Sequence, residues 1–251
     1  AADWPMLGGR PDRNMVSSET GLPLEWSSSP AKNLKWTAPL GEVTYGAPVI
    51  SGGRVFIGTN AAEAAGETKP GVLKCFSEKD GSLLWSAKHD KLPDAGEDDR
   101  SIGICSTPCV VEERVYYVSN RAELVCREAR DGALVWSLDM RETFGITPNQ
   151  ASASSPLVVG DLVFVVTGQG ANPRTGKVKN PTAPSFLAVD RASGKVRWQD
   201  NSPGEKILTG QWGSPGCGVV EGKPQIAFPG GDGWLYAFEP ATGKLLWKFN
   251  C

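Results

Sequence analysis

Short apolar runs alternate with glycine-rich or polar breaks along this chain, and the runs come in fours. The first group is APVI (47–50), RVFIG (54–58), VLKCF (72–76) and LLWSA (83–87). The second is TPCVV (107–111), RVYYVS (114–119), ELVCR (123–127) and LVWSL (134–138). The third is SPLVV (155–159), LVFVVTG (162–168), FLAVD (186–190) and VRWQD (196–200). The last is PGCGVV (215–220), PQIAF (224–228), WLYAF (234–238) and LLWKF (245–249). β-Branched and aromatic residues fill these runs, and Gly, Asp and Ser punctuate them, which predicts strands. Strict in/out alternation is weak, as expected of strands covered on both faces.

The second half of each group repeats one phrase. Gly81, Gly132, Gly194 and Gly243 each stand four residues before a tryptophan: Trp85, Trp136, Trp198 and Trp247. A fifth, Trp36, sits in NLKWTA (33–38), and successive tryptophans are 49, 51, 62 and 49 residues apart. A period near 50 with strand–turn–strand content predicts a β-propeller built from four-stranded antiparallel blades. Four blades are visible, about 47–87, 107–138, 155–200 and 215–249. Residues 33–38 read as an orphan outer strand, and the Pro/Gly/Ser-rich residues 1–32 as an irregular lead-in. The turn glycines let the chain reverse, because glycine accepts positive φ. Cys75, Cys126, Ala188 and Ala237, six residues before those glycines, keep the third strand thin. Trp36, Trp85, Trp136, Trp198 and Trp247 are expected to bury between blades and to donate their indole N–H to carbonyls.

These repeats resemble the pyrroloquinoline-quinone (PQQ) type propeller repeat, A-x-D-x-x-T-G-K-x-x-W. The last blade carries Ala237, Glu239, Thr242, Gly243, Lys244 and Trp247; the third carries Ala188, Asp190, Ser193, Gly194, Lys195 and Trp198. The first two have Cys for Ala and Asp-Gly at the turn. The lead-in WPMLGGRPDRNMVSSETGLP is similar to the opening of secreted bacterial members. The resemblance implies a ring of seven or eight blades, so this chain is expected to form a partial or open ring. Three closures stay open: further C-terminal blades, which we favour, a second copy, or the lead-in itself. The repeat occurs in quinoprotein dehydrogenases of alcohols or sugars and in cofactor-free scaffolds such as the lipoprotein of the outer-membrane β-barrel assembly machine. Active dehydrogenases of this type show an adjacent Cys-Cys pair under the quinone and Glu, Asn and Asp around calcium or a lanthanide. No adjacent cysteines exist here. The expectation is therefore a non-catalytic, cofactor-free envelope scaffold, with a PQQ- and calcium-dependent dehydrogenase as the alternative.

Charge narrows the partners. A net charge of −2 without a basic stripe argues against nucleic acid, and no apolar run reaches membrane-helix length. The opening AADW suits the residue after an A-x-A cleavage site, which together with the resemblance suggests a periplasmic or secreted protein. CSTPC (105–109) lacks a second pair or a nearby histidine, so zinc is not expected; a 105–109 disulfide stays open, with Cys109 more naturally a buried strand residue. His89 is the sole histidine, which excludes most triads and three-histidine metal sites; it reads as a surface or turn residue.

Strand direction puts the short connections on one face and nearly all the long ones (59–71, 88–106, 139–154, 169–185, 201–214) on the other. Binding residues usually sit on such loops. Candidates for a protein or polymer partner there are Tyr45, Asn120, Arg121, Asn149, Gln150, Gln211, Trp212 and Asp232. Asn120, Arg121 and Asp232 are expected nearest the central channel. The acidic stretch 94–100, DAGEDDR, lacks the spacing of a calcium loop.

Overall fold

A computed structural model describes residues 2–62, 69–92, 102–149 and 152–251. A small hairpin comes first, β1 (Ser27–Ser28) with β2 (Ala31–Lys32). Blade 1 is β3 (Val49–Ser51), β4 (Arg54–Asn60), β5 (Gly71–Ser77) and β6 (Leu83–His89). Blade 2 is β7 (Cys109–Val111), β8 (Arg114–Val118), β9 (Glu123–Glu128) and β10 (Leu134–Asp139). Blade 3 is β11 (Leu157–Val159), β12 (Leu162–Val166), β13 (Phe186–Asp190) and β14 (Val196–Asp200). Blade 4 is β15 (Gly216–Val220), β16 (Lys223–Pro229), β17 (Trp234–Phe238) and β18 (Leu245–Asn250). Each is a simple antiparallel meander in chain order. Neighbouring blades touch through their first strands, β3 to β7 and β7 to β11, so these form the inner edge of an open arc. A one-turn helix, α1 (Met140–Phe144), follows blade 2; Asp139 accepts from Glu142 N–H at its start and Gly145 adopts φ 67° at its end.

The repeated phrase has one structural meaning. In every blade the turn glycine has φ between 70° and 76° and donates its N–H four residues back, for example Gly132 to Glu128 O at 2.9 Å. Beside each blade tryptophan the register between third and fourth strands slips by one residue. Such a bulge re-aims the side chain it precedes. The indole then lies over the turn glycine of the following blade: Trp85 over Gly132, Trp136 over Gly194, Trp198 over Gly243. Its N–H donates to the carbonyl three residues before that glycine, Ala129 (3.1 Å), Arg191 (3.0 Å) or Pro240 (2.8 Å). A Cβ on any of these glycines would stand 2.7–2.8 Å or less from the ring, so the socket requires glycine for space as well as for φ. The small residue beneath each tryptophan, Cys75, Cys126, Ala188 or Ala237, is fully buried.

Trp36 behaves like the rest, lying over Gly81 and donating to Glu78 O at 2.9 Å. Residues 33–38, however, form no strand: no described strand lies beside them to complete a ladder. Trp247 departs from expectation. Its N–H donates to Gln225 Oε1 within its own sheet at 2.6 Å, and it is 41% exposed, because no blade follows it among the described residues. The core is continuous from blade 2 to blade 4, centred on Phe164, Phe186, Phe228 and Phe238, with Phe186 stacked on Phe228 at 4.8 Å. Blade 1 joins through Phe56, Leu73, Val115 and Tyr117.

Candidate functional site

Two regions on and beside the long-loop face hold the polar chemistry. The first is the inner edge. Each blade begins with a residue followed by proline: Ala47, Thr107, Ser155 and Ser214. These residues link the blades. Ala47 N–H donates to Thr107 Oγ1, Thr107 N–H to Ser155 Oγ, and Ser155 N–H to Ser214 Oγ, each at 2.9 Å. Proline directly after each link removes a donor that would otherwise be left over. The sequence signal of this linkage is the x-Pro that heads each of the four groups; the pairing of each residue with its counterpart about 50–60 positions on is visible only in the structure.

The lead-in runs along this same edge. Trp4 exchanges both main-chain hydrogen bonds with Ile50 of β3 (2.8 and 3.0 Å), Pro5 O accepts from Val110 N–H of β7 (2.7 Å), and Pro11 O accepts from Cys217 N–H of β15 (2.7 Å). Met6 is buried in the core. Arg13 ties the crossing down: its guanidinium donates to Leu7 O (2.6 Å), Pro215 O (3.0 Å), Ser155 O (3.2 Å) and Pro156 O (3.3 Å). Burial lowers its pKa to about 10, with the nearby Cys109 opposing. The lead-in is thus irregular, as expected, yet it is an integral part of the inner edge.

The second region is the cleft between blades 1 and 2. His89 is not a surface residue; it is buried at the end of β6, with Nε2 2.7 Å from Tyr117 Oη and Nδ1 3.1 Å from Glu123 Oε2. Both partners belong to blade 2, so the histidine is drawn inward. Tyr117 Oη accepts from Arg127 Nε at 2.9 Å. Glu123 also accepts from Ser119 Oγ (2.8 Å) and Arg121 Nε (3.2 Å). Burial works to raise the Glu123 pKa, but hydrogen bonds from His89 and Ser119 and the charges of His89 and Arg121 outweigh it and hold it at about 2. Burial dominates at Tyr117 and pushes its phenol up to about 12.

The predicted residues fall into three sets. Arg121 belongs to this cluster and also donates to Asp90 O at 3.2 Å. Asn120 is adjacent, its amide buried over Gly71 without a hydrogen-bond partner among the described residues. Asn149 and Trp212 meet where the loops that precede blades 3 and 4 come together. Trp212 Nε1 donates to Asn149 O (3.1 Å), while Gln211 is buried and fully used by Gln169 O, Ser185 Oγ and Gly231 N–H. Asp232 accepts from Tyr236 Oη at 2.6 Å. Gln150 and the stretch 94–100 lie outside the described residues. Asn120, Arg121 and Asp232 sit in the hairpins that join the second and third strands of blades 2 and 4. Tyr45 stands on a clamped loop and is 69% exposed. Thr59 Oγ1 accepts from Gly41 N–H (3.0 Å) and donates to Val43 O (2.9 Å), and Asn60 Oδ1 accepts from Glu42 N–H (2.8 Å). Cys75, Cys109 and Cys126 are buried free thiols. The described residues contain no grouping of three or more His, Cys, Asp or Glu able to hold a metal ion.

Comparison with known proteins matches the profile of the family described as outer membrane protein assembly factor BamB over residues 7–171 and 69–251. The assembly factor BamB of Yersinia pestis is 23% identical over 82% of this chain and 53% of its own length. The dehydrogenase subunit of a quinone alcohol dehydrogenase from Gluconacetobacter polyoxogenes is 29% identical over 60% of this chain and 20% of its own length. The chain therefore spans about half of one such relative and a fifth of the other. Among solved structures, the quinohemoprotein alcohol dehydrogenase ADHIIG of Pseudomonas putida superposes with a TM-score of 0.65 at 16% identity, covering 99% of this chain and 40% of that one. At that identity the likeness concerns the fold.

Proposed function

The chain belongs to the PQQ-type propeller family described as outer membrane protein assembly factor BamB, and from that premise we propose that it is a non-catalytic binding scaffold of the bacterial cell envelope. Its partner is a protein, engaged on the long-loop face. The observation that carries this reading is the display of Tyr45 (69% exposed) and Trp212 (42% exposed) on that face, each fixed by a clamped loop. Aromatic anchors on rigid supports are the usual centres of protein interfaces. The side chains of Arg121, Gln211 and Asp232 are consumed by internal hydrogen bonds and hold the loops in place. No described helix is long and apolar enough to cross a membrane.

The relatives that are quinone-dependent alcohol dehydrogenases favour a second reading, a PQQ-dependent dehydrogenase. The described residues do not fit a quinone at the inner edge. Main-chain groups of β3, β7 and β15 are taken by the lead-in, and Arg13, a natural counter-ion for carboxylates, is committed to four carbonyls. A photo-crosslinking amino acid placed at 45 or 212 should give one discrete adduct in envelope extract, with a component of outer-membrane protein assembly, while the same group at Glu113 on the short-turn face should give none. Adducts at 113 alone overturn the face assignment. Reduction of an artificial dye by an alcohol, after loading with PQQ and calcium, overturns the non-catalytic reading.

A further inference from the structure

Positive charge on the long-loop face is gathered in one place. The connection from β12 to β13, residues 169–185, carries Arg174, Lys177 and Lys179 and no carboxylate, whereas each of the three long connections before it holds more carboxylates than cations. The segment is braced along its length. Gln169 closes its foot, accepting from Thr147 N–H (2.6 Å) and donating to Asn180 O (2.7 Å). Above the foot Ala171 pairs with Val178, and Asn172 N–H donates to Lys177 O (2.9 Å). At the tip, Asn172 Oδ1 accepts from Arg174 N–H (2.9 Å) and Thr175 N–H (3.1 Å). Val178 is half-buried, and Lys177 and Lys179 on either side of it are exposed. Residues two apart on extended backbone share a face, so these lysines leave the hairpin on one side, with their Cα atoms about 7 Å apart. Among the described residues, Arg174, Lys177 and Lys179 form no ion pair and donate no side-chain hydrogen bond.

An apolar anchor stands beside this hairpin. Ala171 N–H donates to Thr209 O (2.6 Å), and Thr209 lies between Leu208, 70% exposed, and Trp212, whose indole rests over Gly210. We infer that the hairpin and these two side chains form one docking surface, which takes an acidic, extended segment of a partner protein. Carboxylates on alternate residues of such a segment recur at the same spacing of about 7 Å. They meet Lys177 and Lys179 together, while an apolar residue of the segment covers Trp212. A single exposed ion pair contributes little; cations held on a braced hairpin act together and select the partner by charge. A flat anionic membrane surface fits less well, because it would approach every long connection at once and meet the excess carboxylates of the other three. The inference rests on the loop-face reading above and adds the chemistry of the partner.

The probe is a fluorescein-labelled peptide alternating glutamate and threonine, with its glutamine–threonine counterpart as the blank, titrated by anisotropy at low salt so that screening is weak. The glutamate peptide should bind and the glutamine peptide should not. Lys177→Glu/Lys179→Glu should raise Kd about fivefold or more. Lys195→Glu/Lys244→Glu, the same charge change at exposed positions of the short-turn face, should leave it within about twofold. Circular dichroism checks that both double variants keep the fold. No binding of the glutamate peptide, binding that survives the reversal at 177 and 179, or equal weakening by the two double variants overturns the inference. Phosphatidylglycerol vesicles form the second arm: binding of vesicles but not of the peptide assigns the hairpin to a lipid surface and also overturns it. The photo-crosslinker at 212 separates this failure from that of the loop-face reading. An adduct that keeps its yield in the Lys177→Glu/Lys179→Glu background overturns the acidic segment alone, whereas adducts from 113 only overturn both.

Discussion

Replacing Trp198 and Trp247 separately by alanine measures how much of each ring's contribution comes from the following blade. Both stand at the same repeat position over a buried alanine, Ala188 or Ala237. They differ in surroundings: Trp198 is 9% exposed and Trp247 41%. An indole side chain of roughly 200 Å², covered to those extents at about 25 cal/mol/Å², contributes about 4.5 kcal/mol at 198 and about 3 kcal/mol at 247. Each indole donates one hydrogen bond, Trp198 to Pro240 O and Trp247 to Gln225 Oε1, so that contribution largely cancels, while Trp198 adds ring contacts with Phe164, Phe228 and Phe238 at 5.6–6.0 Å, worth roughly 0.5–1.5 kcal/mol in sum. Trp198→Ala should therefore cost about 2–3 kcal/mol more than Trp247→Ala. Urea unfolding followed by far-ultraviolet circular dichroism gives both values, provided the slopes stay equal. Equal losses for the two variants would refute the view that the indole acts mainly on the neighbouring blade.

Three further outcomes are expected. Ser155→Ala removes the acceptor for Thr107 N–H and leaves that buried donor unpaired, at a cost of about 1–3 kcal/mol; Ser155→Thr should recover part of it in the same urea assay. The depressed Glu123 pKa of about 2 stabilises the fold above the unfolded carboxyl value near 4.3, and this contribution is lost as pH falls toward 2. The melting-temperature gap between the unaltered protein and Glu123→Gln should accordingly be full at pH 6 and close between about pH 4.3 and 2, and a constant gap would contradict the assignment. Burial raises the thiols of Cys75 to about 12 and of Cys109 and Cys126 to about 11, so alkylation of the native protein at pH 8 should reach Cys251 and spare these three until urea is added, as peptide mass mapping will show.

Much of the architecture was readable because it is local and repeated. Apolar runs in fours, a glycine four residues before each tryptophan and a small residue beneath it fix strand order, turn position and docking ring within each stretch of about 50 residues. His89 shows where such reading stops: its environment is made by Tyr117 and Glu123, some thirty residues away on another blade, and no local pattern in the first blade announces them. Gln211 has the composition of a binding residue and the surroundings of a structural one.

By itself, then, the sequence determined the blades, since a strand's apolar face and a turn's need for positive φ are properties of adjacent residues. Only the tertiary structure decided what lies between blades: the course of residues 4–11 along three inner strands, the Arg13 knot, the hydroxyl chain from Thr107 to Ser214, and the open state of Trp247. These depend on donors and acceptors that are far apart in the chain and meet only when the blades are set around a common axis.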